Sequence, residues 1–153
     1  MDWNTELTLI IRTLVATLIG GIIGFERELH GREAGSRTYA AVALGSCTFG
    51  LISQHVGPVI DTRIAANIVT GIGFLGAGII FKDNNRVSGL TTSATIWSTA
   101  AMALAIAFGM YLLGILTGIL IFAILVLHDL PAWQRFKNKF RKKHHNHTNH
   151  GTE

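Results

Sequence analysis

Charge is what this sequence has least of. Only 14% of its 153 residues are Asp, Glu, Lys or Arg, against roughly 25% in an average soluble domain. A surface that poor in charge does not hold a protein of this size in water, which excludes an ordinary soluble globular domain. The hydrophobic share of 49%, with 17 glycines besides, excludes a disordered chain. The single cysteine, Cys47, makes no intrachain bridge, so a disulfide scaffold is excluded too. The sequence holds no CxxC or H-x-x-x-H cluster and no nucleophile–base constellation. No enzymatic activity, cofactor or structural metal is expected.

What is present is a set of long runs without charge. Thr38 to Ile60 is 23 residues free of Asp, Glu, Lys and Arg, Ile64 to Phe81 is 18, and Val87 to His128 is 42. Leu7 to Phe25 is 19 residues interrupted only by Arg12. A helix crosses the hydrocarbon core with about 20 residues. The runs therefore predict an all-α integral membrane protein with five transmembrane helices in a small bundle, at about 7–25, 38–56, 64–81, 91–108 and 111–128. The last two are divided by a turn near Gly109. Strands are not expected within these runs, which lack period-2 alternation and are too long for barrel strands. The first run has Asp2 and Glu6 before it instead of a basic residue, and no Ala-x-Ala follows, so it is read as a retained span.

An odd number of spans puts the ends on opposite sides. Eleven of the 13 Lys and Arg fall in the loop 26–37, the loop 82–90 and the tail, whereas the other side holds Arg63. The positive-inside rule then predicts the N-terminus outside and the C-terminus in the cytoplasm. Two parts are expected, a transmembrane domain over 1–130 and a basic, His-rich tail over 131–153 with a short interfacial helix. That helix follows from Leu130, Trp133, Phe136 and Phe140 at helical spacing among basic residues. His144, His145, His147 and His150 are read as part of a solvated tail.

Small residues recur at spacing four within the runs. Helices in lipid associate where small side chains let backbones approach, so Gly20, Gly24, Gly71, Gly73, Gly76 and Gly78 are candidate packing positions. The third run contains a G-x-G-x-x-G string. It lacks the strand, the helix opening and the downstream acid of a nucleotide site, and a nucleotide is not expected there.

Two stretches carry a resemblance. The first is Gly-Phe-Glu-Arg-Glu-Leu-His-Gly-Arg-Glu-Ala-Gly-Ser-Arg-Thr, Gly24 to Thr38. The second runs from Arg63-Ile-Ala-Ala-Asn through the glycine-rich segment to Gly89-Leu-Thr-Thr-Ser-Ala-Thr-Ile-Trp. Together they resemble the MgtC/SapB family of bacterial inner-membrane proteins over about residues 5–128. Phe25, Ser36 and Ser93 depart from the family's usual residues. Many members carry an ACT-like C-terminal domain where this chain has a short tail, so a function resting on that domain is not expected of this chain. The resemblance implies a multi-pass protein of the bacterial inner membrane that supports adaptation to low magnesium or acid stress. It implies action on membrane partners, the F-type ATP synthase among them, and not magnesium transport. A transporter or channel for a cation or small solute is the alternative.

The candidate partner or ion-interaction residues are Glu26, Arg27, Glu28, Arg32 and Arg37 beside the first span, Asn67 on the third, and Thr91, Thr92, Thr95 and Trp97 on the fourth. Glu28–Arg32 and Glu33–Arg37 have the i,i+4 order that supports a helix. Arg12 is expected to extend its guanidinium to the outer interface. No pair of intramembrane carboxylates is present, which leaves a cation pathway poorly supplied. Membrane lipids and other membrane proteins are the expected partners. A homodimer suits so thin a bundle, and nucleic acid is not expected.

Overall fold

The computed structural model of the protein describes residues 2–56, 62–83 and 86–129. The charge-free runs fold as five helices, α1 (Trp3–Leu29), α2 (Ser36–His55), α3 (Thr62–Ile79), α4 (Leu90–Ala107) and α5 (Tyr111–Asp129). Their order and bounds follow the runs closely. The loop between α3 and α4 departs from expectation. Phe81–Asp83 (β1) and Arg86–Ser88 (β2) pair antiparallel, with Lys82 opposite Val87. By length and composition, α1 and α4 are apolar enough to cross a membrane, and Arg63–Ile79 and Tyr111–Leu127 are shorter apolar helices. The interfacial helix and the His-rich tail expected beyond residue 129 lie outside the described residues.

Two helix ends explain where the chain turns. After α1 the chain closes a Schellman motif: Gly31 N–H donates to Glu28 O and Arg32 N–H to Arg27 O, both at 3.1 Å. After α4 the same motif recurs, from Gly109 N–H to Ile106 O at 3.0 Å and from Met110 N–H to Ala105 O at 2.9 Å. The motif needs a left-handed residue after the cap, and the two glycines supply it with φ of 60° and 78°. This divides α4 from α5 at Gly109. Gly35, by contrast, is extended (φ −108°, ψ −164°).

The chain divides into two compact units, Met1–Ile121 and Phe122–Glu153. In the first, α1 packs along α2, and α4 touches α1, α2 and α3. The interior mixes small or lightly polar side chains, Ala16, Ala43, Cys47, Ala100, Ala103, Thr99 and Ser46, with the larger Ile23, Tyr39, Ile96, Met102 and Ile106. Many large apolar side chains point outward, and Leu7, Ile11, Leu14, Leu18, Ile22 and Phe25 form an exposed stripe along α1. Water would penalise such a surface, whereas hydrocarbon matches it. In the second unit, residues 122–129 are the end of α5.

Candidate functional site

The sequence places charges immediately after the apolar run of α1, where an interfacial, solvated location would be expected. The structure instead buries two of them. Glu26 and Arg27 are 5% and 4% exposed. The reason is periodicity: Ala16, Gly20, Ile23 and Arg27 share the buried face, which continues past the apolar run. Arg27 Nη1 donates to Glu26 Oε2 at 3.3 Å. Glu26 Oε1 lies 3.0 Å from His30 Nδ1. That nitrogen, however, is aligned on the Glu26 carbonyl oxygen at 2.8 Å, and Oε1 receives no hydrogen bond, nor does Arg27 Nε make one.

Beside this pair, three elements meet through hydroxyls. Tyr39 on α2 is fully buried, and its hydroxyl hydrogen-bonds Thr95 Oγ1 at 2.6 Å and donates to the Thr92 carbonyl at 3.4 Å. Thr92 Oγ1 donates to Glu33 Oε2 at 2.7 Å, tying α4 to the connector 59 residues away in sequence. Glu33's own backbone N–H and then the Thr92 hydroxyl hold its carboxyl below the usual carboxylate range. Arg27 acts electrostatically on both Glu33 and Tyr39. The structure thus gathers Glu26, Arg27, Thr92 and Thr95 into one node. Glu33 and Tyr39 complete it, and sequence reasoning did not single them out as site residues. A tyrosine inside an apolar run was the available signal, since its buried hydroxyl needs a partner.

The other candidates lie around this node. The expected helical pairs Glu28–Arg32 and Glu33–Arg37 do not arise, because α1 ends at Leu29 and both carboxylates turn elsewhere. Glu28 accepts from the Ser36 backbone N–H at 3.0 Å and from its hydroxyl, and so caps the start of α2. Glu28, Arg32, Gly35, Arg37 and Thr38 line a cavity of about 440 Å³. Thr91 and Trp97 are exposed on α4. Asn67 is exposed on α3, away from the node, and lines an apolar groove of about 520 Å³ between α2 and α3.

The glycines divide into two groups. A Cβ on Gly20 would meet Ala43 Cβ at 2.7 Å, one on Gly24 would meet Ser36 Cα at 2.7 Å, and one on Gly76 would meet Ser93 Oγ. Gly71, Gly73 and Gly78 face open space, with nothing within 4 Å of a built Cβ. Toward the other end of α1, Arg12 finds its partners at the turn between α4 and α5. Its Nε donates to the Tyr111 hydroxyl at 2.6 Å and its Nη1 to the Ala107 carbonyl at 2.9 Å. A cation beside the free carbonyls of a helix C-terminus is favourably placed. Among the described residues no group of three or more His, Cys, Asp or Glu is placed to hold a metal ion.

The sequence profile of the MgtC family matches residues 13–131. The Escherichia coli K12 protein named "Putative magnesium transporter YhiD" is 42% identical over 141 residues, covering 85% of this chain and 64% of that protein. The Brucella abortus protein named "Protein MgtC" is 56% identical over 88 residues, covering 57% of this chain and 37% of its own length. A Salmonella typhimurium "Protein MgtC" is 45% identical over 102 residues, covering 67% and 44%. The chain thus spans less than two thirds of each of these relatives. No solved structure is significantly similar to it.

Proposed function

The chain belongs to the MgtC family, and from that premise we propose that it is a non-enzymatic, multi-pass protein of the bacterial inner membrane that modulates a membrane partner or ion homeostasis. One observation carries this reading. Polar groups at the Glu26 end of the bundle are engaged in joining elements: Tyr39 joins α2 to α4, Thr92 joins α4 to Glu33 of the connector, and Glu28 joins α1 to the start of α2. Arg32, Arg37, Thr91 and Trp97 stay exposed around them. A surface whose scaffold is fixed in this way suits recognition, because little order is lost on docking. Adaptation to low magnesium or acid, and the F-type ATP synthase as one partner, belong to this same proposal.

The test is photo-crosslinking from Thr91 and Trp97 of the full chain in native membranes. The expected result is a discrete adduct with one membrane protein. Crosslinks to lipid alone would overturn the reading.

A magnesium-transport reading draws on Glu26 Oε1, a buried carboxylate oxygen without a hydrogen bond, and on the name of the Escherichia coli relative. Purified chain in liposomes loaded with a magnesium indicator separates the two. Flux above that of empty liposomes, lost in Glu26→Gln, supports transport and sinks the modulator.

A further inference from the structure

Two cavities meet at Thr38. One is the basin of about 440 Å³ beside Arg32 and Arg37. The other is the groove of about 520 Å³ between α2 and α3. Thr38 lines both, so a polar head and an apolar tail find neighbouring sites on either side of one residue. We propose that this pair of cavities binds an anionic phospholipid of the surrounding leaflet, with its phosphate at Arg32 and Arg37 and one acyl chain in the groove. The proposal is independent of which protein partner the chain engages.

The dimensions fit. Along α2 the groove is lined from Thr38 to Phe49, which is roughly 16 Å at 1.5 Å per helical residue. One leaflet is about half of a 30 Å hydrocarbon core. The groove therefore reaches from the headgroup level to about the bilayer midplane, the depth of a single acyl chain. Its walls are mainly aliphatic, with Val42, Ile68, Ile72 and Leu75 among them. Gly45 and Gly71 line it, and a Cβ on either would meet nothing within 4 Å, so there is room beside both.

The charge also fits. Arg32 and Arg37 are exposed at the head of the groove, while the nearby Glu28 is occupied by Ser36. The basin thus offers two guanidiniums against one carboxylate, and guanidinium is the side chain best matched to phosphate. A helix from a second copy would fill the apolar part but bring no anion to the two guanidiniums, whose nearby carboxylates, Glu28 and Glu33, are engaged by Ser36 and Thr92. The lipid satisfies both halves.

The experiment is native mass spectrometry of the full chain in detergent, titrated separately with phosphatidylglycerol, with phosphatidylethanolamine of the same acyl chains, and with inorganic phosphate. Phosphatidylglycerol is expected to bind in preference to the zwitterionic lipid, and millimolar inorganic phosphate to leave it bound. The double variant Arg32→Gln/Arg37→Gln should weaken binding roughly 30-fold, from about 1 kcal/mol per basic residue near an anionic group. Gly71→Leu should abolish it by filling the groove, and Gly45→Leu serves if that variant does not fold. Unchanged binding in the arginine variant, or in the folded groove variant, overturns the proposal. So does displacement by inorganic phosphate, which would make the basin a simple anion site. A groove variant that loses a dimer while retaining lipid assigns the groove to a second copy and likewise overturns it.

Discussion

Arg12 on α1 donates to the carbonyl of Ala107, the last residue of α4, at 2.9 Å. The Schellman bonds at Gly109 and Met110 close the carbonyls of Ile106 and Ala105, and leave that of Ala107 to be satisfied from outside the helix. Gln54 Nε2 on α2 donates to the same oxygen, also at 2.9 Å. Three helices are thereby held at one backbone atom. The Tyr111 ring, 5.3 Å from the Arg12 guanidinium carbon, adds the start of α5.

Replacing Arg12 by Leu should therefore destabilise the fold, by about 1–3 kcal/mol for lost charge-assisted hydrogen bonds. Tyr111→Phe should cost less, since Nη1 keeps its carbonyl. A double-mutant cycle read by denaturation in detergent should show coupling between Arg12 and Gln54 through the shared oxygen. Additive effects would mean that the two bonds act independently.

The glycines separate just as sharply. Gly24→Leu should sharply reduce folded protein, because its side chain would be driven into the backbone at Gly35 and Ser36. Gly73→Leu should leave the monomer fold intact, since nothing lies within 4 Å of the added Cβ. Size-exclusion chromatography and circular dichroism of the two variants check this. If Gly73→Leu changes only the oligomer, the open face of α3 is a contact between copies.

Much of the fold could be seen in the charge-free runs, because the bilayer imposes a length on each. Even the turn within the 42-residue run was marked by Gly109. The site was less visible. Glu26 and Arg27 follow an apolar run and look interfacial, and only the phase that Arg27 shares with Ala16 and Gly20 hints at burial. The i,i+4 order of Glu28 and Arg32 suggested a longer α1, but the left-handed Gly31 stops that helix. The partner of Glu33 lies 59 residues away, and Arg12's main acceptor is a backbone oxygen. Neither kind of contact leaves a trace in residue spacing.

Acid should loosen the Glu33–Thr92 tie. Glu33 titrates below its ordinary value of 4.5 in the folded chain, through its own backbone N–H and then the Thr92 hydroxyl. A depressed carboxylate contributes stability that is full above its unfolded value and is lost as pH falls through the folded one. Thermal stability should thus be flat above about pH 5 and fall below 4.5. Thr92→Val should shrink that acid limb, leaving the part due to Glu33's own backbone N–H, while lowering stability at neutral pH. Glu33 is exposed, so the effect is modest. An acid limb of the same size in Thr92→Val would detach this bond from the pH response.

Orientation is the last expectation, and it follows from charge. Eleven of the 13 Lys and Arg lie in the two loops 26–37 and 82–90 and in the tail, while the positive-inside rule assigns Arg63 to the other side. With five spans, those segments face the cytoplasm and the N-terminus faces out. Alkaline phosphatase folds into its active form only on the outer side, so its fusion after Glu153 should be inactive, and a fluorescent protein there should glow. A phosphatase inserted between α2 and α3 should be active. An active fusion after Glu153 would require an even number of spans or the reverse orientation. The reverse orientation would move Arg32 and Arg37 away from the leaflet whose anionic surface favours them.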